Sequence, residues 1–332
     1  MTTPYSGPEI PLVVRTDDAR FVDLPGYPFE PNYVGIRNPF AEGTLRMHYV
    51  DEGPKDAPVV LMVHGEPAWS YLYRKMIPRF AAGGFRALAV DLIGFGRSDK
   101  LTRAPHYSFA NHIAWLHDFV VSLGLQDITL VCQDWGGPIA LGVLAREPQR
   151  FARVVAGNTM LHTAEAALDG RLEWAAHAHG ERDSIVSASL LDWMHYSQRA
   201  IDFEASHALR GATVREVEPG VAAAFDAPFP SEWHKAGMRH FPLLIPVTRT
   251  DAGAEINLET WKALAAFDRP FLTLFSDSDP GTRGWAELFR ERVPGAKGQP
   301  HQILERAGHF WQEDCGDEAT RILLAWIQSS SK

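Results

Sequence analysis

Short, uninterrupted apolar runs alternate with amphipathic stretches along much of this chain. Ala57-Pro-Val-Val-Leu-Met-Val63 ends at His64-Gly65, Phe85-Arg-Ala-Leu-Ala-Val90 ends at Asp91, Ile128-Thr-Leu-Val-Cys132 runs into Gln133-Asp134, and Phe151-Ala-Arg-Val-Val-Ala156 follows. Runs of this length and β-branched content predict strands buried on both faces of a parallel sheet. Residues 70–82 predict a helix between two of these strands. Ser108 caps another, whose Ile113, Leu116, Val120 and Leu123 share one face and which Gly124 ends. Ahead of the first run, residues 33–38 and 45–52 predict two strands of a hairpin around Asn38–Gly43. Strand–helix alternation implies an α/β fold with helices on both faces of a mostly parallel sheet.

The rhythm breaks after Asn158. From Met160 to about Thr250 the segments read as helical, rich in Ala and Trp, with no clear strand. It resumes at Pro270-Phe-Leu-Thr-Leu-Phe-Ser276, then a helix, Gln302-Ile-Leu-Glu305 and a C-terminal helix. The expected organisation is a core of residues 1–159 and 250–332 interrupted by a helical insertion, residues 160–249. An insertion between strands of such a sheet lies at their carboxyl ends, where ligands bind, so it predicts a lid.

Composition narrows the partners. The 332 residues carry a net charge of -9, which argues against nucleic acid or an anionic membrane surface as a partner. The two cysteines, Cys132 and Cys315, are far apart and read as reduced thiols. Met1–Arg20 lacks the basic start and apolar core of a signal peptide, and no apolar run approaches the ~18–20 residues that cross a bilayer. A soluble cytoplasmic protein, monomeric or a small oligomer, is expected. His177-Ala-His179 is a weak metal signal, better read as lid surface. Gly94-Phe-Gly96 lacks the third glycine of a dinucleotide fingerprint, Asp99 standing there.

Candidate chemistry centres on Val131-Cys132-Gln133-Asp134-Trp135-Gly136-Gly137. A sharp strand-to-helix turn needs small residues around its apex, and in the G-x-S-x-G elbow of α/β-hydrolases they flank an exposed serine. Here Cys132 and Gly136 flank, and Asp134 stands in place of serine. An isolated Asp-x-Gly-Gly would be a helix cap; after a buried strand it reads as a nucleophile. A carboxylate is ionised at neutral pH and can displace a leaving group from carbon without a base. The resulting ester needs a base for its hydrolysis. His309, in Ala307-Gly-His-Phe310 after the last strand, fits the chain order nucleophile, acid, histidine. Asp277 and Asp279 both qualify as the acid that orients it; Asn158, at the other position used in such folds, cannot ionise. His64-Gly-Glu-Pro67 follows the first buried strand, where the Glu66 backbone N–H can join that of Trp135 in an oxyanion hole. His64 reads as structural, and a catalytic role for the Glu66 side chain ranks below its backbone role.

Together these residues resemble haloalkane dehalogenases, in the group whose acid follows the later strand. The resemblance covers nearly the whole chain and rests on His64-Gly-Glu-Pro-Ala-Trp-Ser70, Asp91-Leu-Ile-Gly-Phe-Gly-Arg-Ser-Asp-Lys100, Gln133-Asp-Trp-Gly-Gly137, Ala227-Pro-Phe-Pro230 and Phe275-Ser-Asp-Ser-Asp-Pro280. It implies Asp279 as the acid and two tryptophans that hold the departing halide: Trp135, and a lid tryptophan. Trp174, Trp193 and Trp233 are candidates for the second. Leu190-Leu-Asp-Trp-Met-His-Tyr-Ser-Gln198 matches the family's lid segment and selects Trp193; residues 161–190 depart from the pattern in an Ala-rich, longer stretch. An indole N–H donates and cannot accept, which suits a growing negative charge. The implied partners are a halogenated alkane, water and product halide, with no metal or organic cofactor. An epoxide hydrolase shares the Asp nucleophile but uses two lid tyrosines, whereas residues 160–249 contain one, Tyr196. A non-catalytic receptor on this fold ranks lower, because all three catalytic roles are filled.

Overall fold

In a computed structural model, residues 11–164, 188–282 and 284–330 are described, those of 188–191 in backbone only. The strands are β1 (Val13–Val14), β2 (Asn32–Arg37), β3 (Thr44–Glu52), β4 (Val59–Val63), β5 (Arg86–Val90), β6 (Lys100–Leu101), β7 (Ile128–Gln133), β8 (Phe151–Gly157), β9 (Phe271–Ser276) and β10 (Gln302–Leu304). Eight of them form one sheet in the order β10-β9-β8-β7-β4-β5-β3-β2, and β1 pairs with β6 apart from it. The predicted hairpin is β2–β3, antiparallel, with Arg37 opposite Thr44. β3 is also antiparallel to β5, and every other pairing in the large sheet is parallel.

Burial follows the apolar runs. Every residue of β4 and β7 is buried, as expected of central strands covered on both faces. The edge strands differ: Asn32–Val34 of β2 are only partly buried, and Gln302 and Ile303 of β10 are exposed. The helices of the first half are α1 (Ile77–Ala82), α2 (Phe109–Ser122) and α3 (Gly136–Arg146). α2 starts and stops where its sequence predicts. The Ser108 hydroxyl accepts the Asn111 N–H at 3.2 Å, and Gly124 takes a φ of 60° beyond the last turn. The helix expected over residues 70–82 is instead split into a 3₁₀ turn, Ser70–Tyr73, and α1. Pro78 explains the break: with no N–H it cannot bond back to the preceding turn, and it is tolerated only near a helix start.

Between β8 and β9 the described residues form helices and no strand: α4 (Ala188–Arg199), α5 (Ala205–Ala212), α6 (Pro219–Asp226), α7 (Ala236–His240) and α8 (Ala252–Leu264). α8 returns to pack on α3 and α2. The chain closes with α9 (Trp285–Arg292) after β9 and α10 (Trp311–Ser329) after β10. The architecture is therefore an α/β-hydrolase fold, with the segments after β4, β7, β9 and β10 gathered at the carboxyl ends of the parallel strands.

Candidate active site

β7 ends at Gln133 and α3 begins at Gly136, leaving Asp134 on the apex between them with a φ of 51°. That left-handed backbone costs a non-glycine residue on the order of 1 kcal/mol and lifts its side chain clear of the strand. The elbow depends on two close approaches. A Cβ on Gly136 would lie 2.1 Å from the Val63 carbonyl oxygen, and one on Gly65 would lie 2.1 Å from Asp134 Oδ1. Only glycine at both positions lets the β4 and β7 turns meet.

The β4 turn supplies a donor: the Glu66 N–H reaches Asp134 Oδ1 at 2.8 Å. The other oxygen, Oδ2, lies 3.3 Å from His309 Nε2. On the far side of the ring, His309 Nδ1 meets Asp279 Oδ2 at 2.9 Å. Asp279 is buried, and it also accepts the Thr282 hydroxyl at 2.5 Å and the Gly281 N–H at 2.9 Å. Asp277 is not in this chain of contacts. It is exposed and accepts the Arg306 and Ala307 N–H groups at 2.9 and 3.3 Å, closing the turn before His309. Of the two candidate acids, the fold brings Asp279 to the histidine and leaves Asp277 as a turn residue.

Charge follows from this geometry. Burial alone would make the His309 imidazolium harder to form, but the Asp279 and Asp134 carboxylates outweigh it and push its pKa up to about 10. Burial would raise the Asp279 pKa, but the charge and hydrogen bond of His309, with those of Thr282 and Gly281, hold it below the usual carboxylate value. Glu66 lies well above the usual value, first because it is buried and then because Asp134 is beside it. His64 is structural: its Nε2 accepts the Leu92 N–H at 3.0 Å, so Nδ1 carries the proton toward the Gly65 carbonyl at 2.7 Å.

A cavity of about 530 Å³ opens over these residues and is bordered by Glu66, Asp134, Trp193, Tyr196, Asp279 and His309, among others. Trp193 comes from α4, and its indole N–H donates to Glu66 Oε2 at 3.1 Å. The Trp135 ring is packed edge-on between Phe109 and Phe241, with centroids at 5.7 and 5.5 Å, and is not among the residues bordering this cavity. Trp233 is 49% exposed, on the turn Glu232–His234. Trp174, His177 and His179 lie outside the described residues. Among the described residues no group of three or more His, Cys, Asp or Glu is disposed to hold a metal ion, and no helix is long and apolar enough to cross a membrane.

Two contacts were not foreseen from the sequence. The Gln133 amide sits 2.9 Å from His309 Nε2 and 3.2 Å from the His309 carbonyl oxygen. Asn158, noted only as unable to ionise, is a clamp: its amide nitrogen reaches Ser276 Oγ and the Gly308 and His309 carbonyls at 2.7, 3.0 and 3.1 Å. Its oxygen accepts the Ser276 N–H at 2.9 Å. The only sequence signal for either was its place at a strand end.

Residues 58–212 match the model of the alpha/beta hydrolase fold family. Across 320 residues the chain is 42% identical to a haloalkane dehalogenase of Psychrobacter cryohalolentis, covering 96% of this chain and 99% of that protein. The chain belongs to the haloalkane dehalogenase family. These are hydrolases acting on carbon–halide bonds. A second haloalkane dehalogenase, from Mycobacterium marinum, is also 42% identical, over 316 residues that cover 95% of this chain and 99% of that one. Among solved structures, the tetrameric haloalkane dehalogenase of Paraglaciecola agarilytica NO2 superposes with a TM-score of 0.79 at 32% identity. It covers 93% of this chain and 96% of that one.

Proposed function

We propose that this dehalogenase converts haloalkanes to alcohol and halide through an ester on Asp134. The observation that carries the reading is the unbroken contact chain Asp134–His309–Asp279 lining a cavity. Asp134 Oδ1 is held by the Glu66 N–H, which leaves Oδ2, on the His309 side, as the nucleophilic oxygen. It attacks the carbon bearing the halogen, and the bonding pair leaves with the halide. The indole N–H groups of Trp135 and Trp193 receive the departing charge. Water then attacks the ester carbonyl and gives a proton to His309. The Glu66 and Trp135 backbone N–H groups hold the oxyanion, and Asp279 keeps the ring oriented. Collapse releases the alcohol, which takes its proton from the imidazolium, and leaves Asp134 as a carboxylic acid whose ionisation gives up the one proton of the net reaction. The net change is RX plus water to ROH, halide and a proton.

The electrostatics suit the order of events. While both Asp134 and Asp279 are charged, His309 is held protonated. Esterification removes the Asp134 charge, the imidazole loses one of its two supports, and its basicity falls when a base is needed. In the proposed arrangement residues 160–249 act as the lid, carrying Trp193, over a core of residues 1–159 and 250–332. An assembly of few copies agrees with the tetramer of the Paraglaciecola relative.

Halide release from a series of bromo- and chloroalkanes tests the reading. Wild type is expected to turn over repeatedly, and H309Q to release at most one halide per site and retain an alkyl adduct on the Asp134 peptide. Absence of halide release from every short or medium bromoalkane, with opening of an epoxide instead, would replace it with epoxide hydrolysis.

A further inference from the structure

The Glu66 side chain has no part in the scheme above, which uses only its backbone N–H. Yet it is 5% exposed, borders the cavity, and stands directly beside the nucleophile. Oε2 accepts the Trp193 indole N–H at 3.1 Å, and Oε1 has no hydrogen-bond partner in the structure. A buried, ionised carboxylate with one bare oxygen is a poor arrangement, because both oxygens lose water and only one regains a donor. The charges around it make ionisation worse. Asp134 is a like charge, and the imidazolium of His309 is already shared between Asp134 and Asp279. Three carboxyl groups thus face one cation, and Glu66 is the one without a contact to it.

We propose that Glu66 is a positioning residue that works as an uncharged carboxyl, accepting the Trp193 N–H and so holding the lid tryptophan beside Asp134 in readiness for the halide. This rests on the dehalogenase mechanism proposed above. Trp193 is only partly buried and rides on a helix of the segment between β8 and β9, whereas Glu66 is fixed by the β4 turn. The hydrogen bond ties the direction of the indole to the β4 turn that also holds Asp134. An uncharged carboxyl does this without placing a second negative charge where a halide must form. The burial and the nearby Asp134 that favour the neutral form also hold its pKa well above that of an ordinary glutamate.

The test compares wild type, E66Q and E66L. Three quantities are read: bromide quenching of tryptophan fluorescence for halide affinity, the single-turnover halide burst, and the pH profile of both. Gln has nearly the same shape, is neutral at all pH values and accepts the indole N–H. E66Q is therefore expected within about threefold of wild type near neutral pH, and E66L to lose roughly tenfold or more in halide affinity and burst rate, the worth of one oriented hydrogen bond. As pH rises through the Glu66 pKa, wild type is expected to lose halide affinity, because the carboxylate repels the anion, in addition to whatever loss it shares with E66Q as His309 deprotonates near 10. In a W193F background the E66L change should have little further effect. The idea is overturned if E66L binds bromide as wild type does or more tightly, since Glu66 would then be a bystander or a competitor for the indole. It is also overturned if E66Q is as impaired as E66L, or if the pH profiles of wild type and E66Q coincide throughout. Should E66L fail to fold, the wild-type and E66Q pH profiles decide alone. Failure of wild type to release halide from any haloalkane would instead remove the underlying mechanism.

Discussion

The turns at the carboxyl ends of the strands and the helical segment between β8 and β9 contribute to one cavity in different ways. Asp134, Asp279, His309 and the Glu66 N–H each lie on the turn that follows a strand, and hydrogen bonds between turns hold them in place. Asn158 ties the end of β8 to β9 and to the His309 loop. Asp314 accepts the Gly308 N–H at 2.8 Å and also the N–H groups of Val214 and Arg215, at 3.1 and 2.8 Å. Trp193 has no such frame. Its ring stacks on Tyr196 at 5.8 Å and leans on Phe203 at 5.4 Å, all within its own segment. The bond to Glu66 links it to the core. In the proposed mechanism bond making falls to the turns of the sheet, and reception of the leaving group is shared with the helical segment. A nucleophile must be placed within fractions of an ångström, whereas a donor to a large, soft anion tolerates more.

That contrast predicts a graded series of effects. D134A should abolish halide release, by about 10⁴-fold or more, in rate assays on bromoalkanes. H309Q should preserve the first displacement and slow ester hydrolysis by about 10²–10⁴-fold, so that burst and steady state separate in rapid-quench experiments. D279N should slow the same hydrolytic step by a factor approaching about 10⁴, by leaving the ring in the wrong tautomer. D277N, which touches only the turn, should keep turnover within about threefold while lowering the melting temperature. Equal losses in D277N and D279N would break the assignment of the acid. W193F should cost about 10–10²-fold in the displacement step and little in ester hydrolysis, and W233F should change neither. A lesion in hydrolysis from W193F would erase the proposed division between the two regions.

The pH dependence sharpens the comparison further. With both carboxylates charged, His309 is held protonated up to about 10. In the ester only Asp279 supports it, so its pKa must fall below that value. Single-turnover ester hydrolysis is expected to rise with pH through a midpoint under 10, as the neutral base appears. A midpoint at or above 10 would show that Asp134 contributes nothing to the charge on His309. N158A is read in stability rather than in rate. Loss of the clamp leaves the Gly308 and His309 carbonyls without their shared donor, at about 1–3 kcal/mol in stability from denaturant unfolding.

The difference between regions is also a difference in legibility. The elbow was readable because its requirements are local: a buried apolar strand, small residues around an apex, and a carboxylate between them. The strands of the parallel sheet were readable for the same reason. The split of residues 70–82 was readable in principle, since Pro78 forbids a continuous helix there. Asn158 and Gln133 were not, because neither residue type announces a clamp; their roles exist only where three turns converge. Nor does the spacing of Asp277 and Asp279 decide which one faces His309.

The sequence by itself determined the strands of the parallel sheet, the candidate nucleophile and base, and the family resemblance, since periodicity, turn residues and motif spacing are properties of contiguous chain. Tertiary structure brought Asp279, which the resemblance implies, to the histidine, and it alone decided that Asn158 binds the loops together and that the Glu66 carboxyl meets the Trp193 indole across 127 positions of chain. Those outcomes depend on the meeting of side chains carried by separate elements. Their burial and protonation are set by neighbours that no local pattern encodes.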